Sequence, residues 1–306
     1  MGGSYAGMLS AWMRLKYPHV VLGALASSAP ILYFDGLTPE DAYDKVVSKE
    51  YKEISENCYL SIKQSWAKID EVAVEKNGLA VLSKQFHTCS KLNSSSELKN
   101  ALEHIYDAAA QNGAFSIEKF CKIVDEASHD SNLLDNIYSG LAAADAIWKK
   151  CLPSEDYFLS KDTTDGWSWQ SCIDMVMPMG RGNDTIYYPR PFNWTDFNLS
   201  CKMIYGVPPR PHWATTYYGG QDIKLVLRRF ASNIIFSNVL KDPYSSGGVL
   251  EDISDTLVAI TAKKGRHCFD LLPMPSGSPK WMLKVRVKEV KIIRSWLDKY
   301  YRDLKG

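Results

Sequence analysis

The spacing of hydrophobic and polar positions changes along the chain. From Tyr5 to Tyr17, Met8, Leu9, Trp12 and Leu15 fall at helical spacing, and Pro18, which has no amide donor, ends the segment. Val20 to Ala26 follows as an unbroken apolar run, the pattern of a short buried strand, closed by Ser27-Ser28-Ala29-Pro30. A helix leading to a buried strand is the alternation of an α/β sheet.

Between about residues 38 and 165 the helical period dominates. Ser61 to Val74, Glu97 to Gln111, Ile117 to Ala127 and Leu133 to Lys150 read as helices, with few alternating β-branched runs between them. Such a block between two α/β segments reads as an inserted cap. Residues 166 to 220 read as an irregular connection rich in aromatics and proline, including Trp167, Trp169, Pro189, Pro191, Trp194 and Pro208-Pro209-Arg210-Pro211.

The α/β pattern then returns. Asn233 to Leu240 reads as a buried strand that Pro243 prevents from continuing, which leaves Asp242 just past its end. Thr256 to Thr261 reads as a second strand, and His267 lies in the loop after it. Lys280 to Tyr301 reads as an amphipathic helix packing through Trp281, Leu283, Val287, Val290, Ile293, Trp296, Leu297 and Tyr300.

The composition suits a globular fold: 306 residues, 45% of them hydrophobic. Its 36 basic and 35 acidic residues leave a net charge of +1, so no long-range field recruits nucleic acid or an anionic membrane. The longest weakly polar run, Val20 to Leu32, is too short to span a bilayer and contains Ser27, Ser28 and Pro30. Residue 1 opens on Gly-Gly-Ser, which is not the pattern of a signal peptide.

Cysteines and sequons nonetheless speak for the secretory route, with a vacuolar, lysosomal or extracellular destination. Asn93, Asn183, Asn193 and Asn198 each begin an Asn-x-Ser/Thr sequon. Cys58, Cys89, Cys121, Cys151, Cys172, Cys201 and Cys268 form no C-x-x-C pair and no Cys/His cluster with zinc spacing, so disulfides are expected and no metal or cofactor is. Six of the seven lie between residues 58 and 201, which leaves Cys268 as the odd thiol. His19, His87, His104, His129 and His212 show no metal-like spacing and read as structural or surface residues.

The chemistry concentrates in three residues. A serine hydroxyl needs a base to take its proton, an acid to orient that base and backbone donors for the oxyanion. In the G-x-S-x-G elbow, small residues permit a strained strand-to-helix turn, and the acid and histidine follow in the order Ser, Asp, His. Gly2-Gly3-Ser4-Tyr5-Ala6 approaches that pattern, with Ala6 at the last glycine, and Asp242 and His267 follow in that order after strands.

At these residues the sequence resembles the S28 serine peptidases, a family of Pro-X carboxypeptidases and dipeptidyl peptidases. The resemblance covers essentially the whole chain. It rests on Gly2 to Leu9, Leu15-Lys16-Tyr17-Pro18-His19, Ala26 to Ile31, Gly166-Trp167 through Gln170-Ser171-Cys172, Asn233 through Asp242-Pro243, and Gly265-Arg266-His267. It implies Ser4 as nucleophile, Asp242 as orienting acid, His267 as general base and the Tyr5 N–H as an oxyanion donor. It also implies disulfides Cys58 to Cys121, Cys89 to Cys151 and Cys172 to Cys201, an acidic working compartment, and cleavage after proline near a peptide terminus. Tyr244, Trp167, Trp169 and Trp213 are candidate walls for the proline ring. Asp174 or Asp184 could receive a peptide's N-terminal amine.

The expected fold is therefore an α/β-hydrolase core, incomplete at its N-terminus, with an inserted helical, disulfide-containing cap. Residues 1–37 would carry the nucleophile, 38–205 the cap and aromatic-rich connection, and 206–306 the Asp and His. Peptides with proline near a terminus are the expected partners, a homodimer is left open, and nucleic acid and membrane are not expected. The family has a second His after the catalytic one and an Arg shortly downstream, where this chain has Cys268 and Leu272. The resemblance further implies truncation before Ser4, without the strand that would anchor its turn. The alternatives are an inactive homologue that only binds, and an esterase using the same triad.

Overall fold

A computed structural model describes residues 1–128, 131–144, 151–152, 161–274 and 276–306. His129 and the last part of the helix expected to reach Lys150 lie outside the described residues. Two compact units divide the chain: Met1–Ala42 with Asp174–Pro178 and Arg210–Gly306, and Tyr43–Ile173 with Met179–Pro209.

The first unit is mixed α/β. Its strands β1 (Gly2–Gly3), β2 (Ala24–Ser27), β3 (Ile234–Val239) and β4 (Leu257–Ala262) form one parallel sheet in that order. Gly2 pairs with Ala26, Ala24 with Ile234, and Ile234 with Leu257. The residues before Ser4 thus form a strand of two residues, whereas the sequence reading left Ser4 without one. β2 begins later than the apolar run at Val20, which is exposed.

Every residue of β2 and β3 is buried, as expected for a parallel sheet covered on both faces. The twofold side-chain period splits them between two cores. Ala24, Ala26, Ile234, Phe236 and Leu257 face a cluster with Met8, Ala11 and Trp12 of helix α1 (Tyr5–Lys16). Leu25, Ile235 and Ile260 face the C-terminal helix (Lys280–Asp303), which contributes Val285, Ile292, Ile293 and Trp296. The expected packing stripe of that helix holds at Ile293 and Trp296 and is corrected elsewhere. Leu283, Val287, Val290, Leu297 and Tyr300 are exposed, and the stripe packed on the sheet runs through half-buried Val285, Ile292, Ile293 and Trp296 with buried Glu289 among them.

The second unit is helical. In chain order it contains α2 (Ala42–Ile54, whose first residue belongs to the first unit), α3 (Glu56–Ala73), α4 (Gly78–Gln85), α5 (Ser95–Asn112), α6 (Ile117–Glu126), α7 (Leu133–Ala144), α8 (Lys161–Ile173) and α9 (Trp194–Tyr205). The hydroxyls of Ser55, Ser94 and Ser116 cap α3, α5 and α6 by accepting from the N–H groups of Cys58, Glu97 and Lys119. The segment expected to be irregular is partly helical, because the Asn193 side chain caps α9 through the Thr195 and Asp196 N–H groups. In the first unit, α10 (Trp213–Tyr218) and α11 (Ile223–Phe230) precede β3, which makes the C-terminal helix α12.

Disulfides join Cys58 to Cys121, Cys89 to Cys151 and Cys172 to Cys201, all within the helical unit, and Cys268 is free. Arg181 pairs with Asp44 and Glu103 there, and the Tyr187 hydroxyl donates to Asp107. Among the described residues no helix is long and apolar enough to cross a membrane.

Candidate active site

Parallel strands end on the same edge of their sheet, and loops at that edge are the usual place for a site in α/β folds. Ser4 directly follows β1, Asp242 lies just past β3 and His267 lies in the loop after β4. Ser4 has φ 58° and ψ −128°. A non-glycine residue in such a conformation carries about 1–3 kcal/mol of strain and persists only where its surroundings fix it. The Ser4 N–H donates to Ser27 O at 2.9 Å, and the N–H groups of Gly7 and Met8 close the first turn on Ser4 O at 2.9 and 3.1 Å. Gly7 permits this close approach, since a Cβ there would fall 2.8 Å from Ser27 O. Tyr5 opens α1, where amide groups and the helix dipole favour negative charge.

Asp242 is fully buried. Its Oδ1 accepts from the Tyr244 N–H at 3.1 Å, and its Oδ2 lies 2.6 Å from His267 Nδ1. The His267 side chain is 8% exposed. Burial opposes a charge on this imidazole, but the hydrogen bond to Asp242, the neighbouring Cys268 thiol and the Asp242 charge outweigh it and lift the pKa to about 9. His267 Nε2 is buried without a hydrogen-bond partner, so Ser4 Oγ does not bond to it in this structure.

The turn at Ser4 and the loop of His267 nevertheless touch. A Cβ on Gly3 would lie 2.7 Å from Cys268 Sγ, so the residue before Ser4 packs on the residue after His267. The Cys268 N–H donates to Ser28 Oγ at 2.9 Å, and Cys268 has a left-handed φ of 55°.

A second polar group under the same loop was not singled out from the sequence. Asp270 and Glu289 are buried, at 6% and 4% exposure. Ser27 Oγ donates to Asp270 Oδ1, and Ser237 Oγ donates to Glu289 Oε1 at 2.8 Å. Burial raises the pKa of both carboxyls, and the charge of Asp270 adds to the rise at Glu289, which reaches about 7. A carboxylate within an apolar helical stripe was the available signal. It pointed here only once the buried stripe of α12 was known.

Of the expected aromatic walls, Tyr244 lies against His267, with ring centroids 5.5 Å apart. Trp213 stacks on Tyr217, and Arg210 lies over its ring. Trp167 and Trp169 belong to the helical unit, at 41% and 46% exposure. Arg210 pairs with Asp174, which gives that carboxylate a partner within the protein. Asn93, Asn183, Asn193 and Asn198 are all exposed. Among the described residues, no group of three or more His, Cys, Asp and Glu could hold a metal ion.

Comparison with known proteins gives a consistent answer. The family described as serine carboxypeptidase S28 matches residues 1–289. Mouse lysosomal Pro-X carboxypeptidase is 37% identical over 99% of this chain and 65% of the relative, and its human counterpart is 35% identical over 98% and 63%. A protein of Caenorhabditis elegans, "prolyl carboxy peptidase like protein 5", is 28% identical over 99% of this chain and 66% of its own length. The chain thus spans just under two thirds of the curated relatives it matches.

Proposed function

Because the chain belongs to the serine carboxypeptidase S28 family, we propose that it is a serine exopeptidase that cleaves after proline. It would use an α/β-hydrolase core, with the disulfide-linked helical unit as its cap. Ser4 Oγ attacks the scissile carbonyl as its proton passes to His267 Nε2, and the Tyr5 N–H donates to the oxyanion that forms. Asp242 holds the imidazole through Nδ1 and stabilises the imidazolium. His267 then returns the proton to the leaving amine, and water releases the acyl group from Ser4 by the same steps in reverse.

One observation carries this reading: the buried 2.6 Å contact between Asp242 and His267, on the strand edge that also bears the strained Ser4. Proline specificity and the carboxypeptidase mode rest on what the relatives are named for. Tyr244, beside His267, is the first candidate for a wall of the proline pocket, with Trp213 as a further candidate. A secretory, lysosomal setting is supported by the three disulfides and by those names.

A fluorophosphonate probe should label Ser4, and the protein should release the C-terminal residue from peptides ending in Pro-X. A folded sample that takes up no label overturns the proposal. The unpartnered His267 Nε2 supports a second reading, a homologue that binds peptides without turning them over. Labelling together with turnover excludes it, and comparing acyl esters with prolyl peptides separates peptidase from esterase.

A further inference from the structure

We propose that Asp270 and Glu289 share one proton, and that this proton docks the His267 loop onto the sheet, making the pair positioning residues for His267. The inference deepens the peptidase reading and, in its catalytic consequence, rests on it. Besides the Asp242–His267 contact, three ties hold the loop. The Cys268 N–H donates to Ser28 Oγ at 2.9 Å, Asp270 Oδ1 accepts from Ser27 Oγ, and the Arg286 guanidinium donates to Phe269 O at 3.1 Å and to Leu272 O.

The tie at Asp270 also reaches the nucleophile, because Ser27 O accepts the N–H of Ser4 at 2.9 Å. Across the pair, Ser237 Oγ holds Glu289, and Ser237 O accepts the Ser28 N–H at 2.7 Å. The two carboxyls therefore link the segments that carry Ser4 and His267 to α12. Asp270 Oδ2 is buried and receives no hydrogen bond from a protein N–H or hydroxyl. The neighbouring Glu289 carboxyl can fill that place only while it keeps its proton.

The charged group facing the pair is Arg286, on α12 itself, while β2 and β3 face it with the hydroxyls of Ser27 and Ser237. Loss of the shared proton to solvent leaves two buried carboxylates opposed, with one guanidinium to offset them, and the loop tie to α12 becomes repulsive. Burial and the Asp270 charge set this loss at about pH 7 for Glu289.

The test compares the full chain with E289Q, whose amide keeps a donor at every pH. In the wild type, the amide protection of Cys268 to Leu271, corrected for intrinsic exchange, and the Tm both fall as pH rises from 5 to 8. In E289Q the fall in protection is lost or strongly reduced, and the fall in Tm is shallower, keeping the part that His267 contributes. Ser4 labelling by fluorophosphonate adds a readout that packing alone would not move. Ionisation of Glu289 near pH 7 makes the rate ratio of E289Q to wild type climb by up to about tenfold between pH 6 and pH 8.

The same pH slope of Tm and protection in both proteins overturns the shared proton. Protection that changes as expected with a flat labelling ratio overturns the positioning role. Should E289Q fail to fold, D270N takes its place, and its fall in Tm must be smaller and end at lower pH than in the wild type, because Glu289 loses the Asp270 charge that raises its pKa. An unmoved fall overturns the proposal. Absence of label in every variant would overturn the peptidase reading while protection and Tm still judge the pair.

Discussion

His267 Nδ1 lies 2.6 Å from Asp242 Oδ2, and the other ring nitrogen, Nε2, is buried with no partner. One side of the imidazole is thus fixed, and with the pKa lifted to about 9 the other must lose its proton before it can serve the proposed role of base to Ser4. Apo sites often show this last contact unmade, because substrate closes it.

His267 should titrate near pH 9 in the free protein, well above an ordinary histidine, as read by NMR of the ring protons. A raised histidine pKa contributes stability that is whole below the unfolded value of about 6.5 and is lost as pH rises through the folded value. The rise corresponds to about 3 kcal/mol. D242N should return the pKa toward or below the ordinary value and cut turnover by about 10⁴-fold. In an E289Q background, Ser4 labelling should climb until about pH 9, since the base must be neutral. A His267 titrating near 6.5 in the wild type would contradict this account.

Ser4 stores backbone strain, so S4G should abolish probe labelling while raising the unfolding free energy by about 1 kcal/mol, the relief of strain less the entropy of the added glycine. Denaturant unfolding measures this. A clearly destabilised S4G would show that the Ser4 hydroxyl holds the turn together.

The Gly3–Cys268 contact predicts a coupled pair. G3A should lower Ser4 labelling, because its Cβ would fall 2.7 Å from Cys268 Sγ and push the His267 loop away. C268A should leave more room and restore part of the loss. Additive effects in the double-mutant cycle would show that the two residues do not press on each other.

The disulfides should act on one unit. Replacing Cys58 and Cys121 with alanine opens a link across a sequence separation of 63 and should cost the helical unit about 2–5 kcal/mol. The described disulfides all lie outside the α/β unit. Hydrogen exchange should therefore show α3 and α6 opening sooner while β3 keeps its protection. Equal loss in both units would mean that they unfold together.

The C-terminal ends of β2 and β3 were legible in the sequence because Ser28-Ala29-Pro30 and Pro243 close their runs, whereas β2 begins later than its apolar run does. That placed Asp242 and His267 in loops after β3 and β4, and Ser4 at the turn into α1. α2 and α4 were not picked out, and the stretch expected to be irregular contains α9, a proline-free segment between Pro191 and Pro208 whose first turn the Asn193 side chain caps.

Sequence alone determined the order of the α/β elements, the residues at the strand edge and the cysteine-rich middle, since each is written in local period or residue type. Only the tertiary structure decided which stripe of α12 is buried. Of its apolar residues the sheet took Val285 and Ile292 beside the expected Ile293 and Trp296, left Leu283, Val287 and Val290 exposed, and brought Glu289 against Asp270. Periodicity reports that a helix has an apolar face. Which face meets the sheet depends on side chains distant in the chain, and so does a buried carboxyl pair whose members come from a loop and a helix.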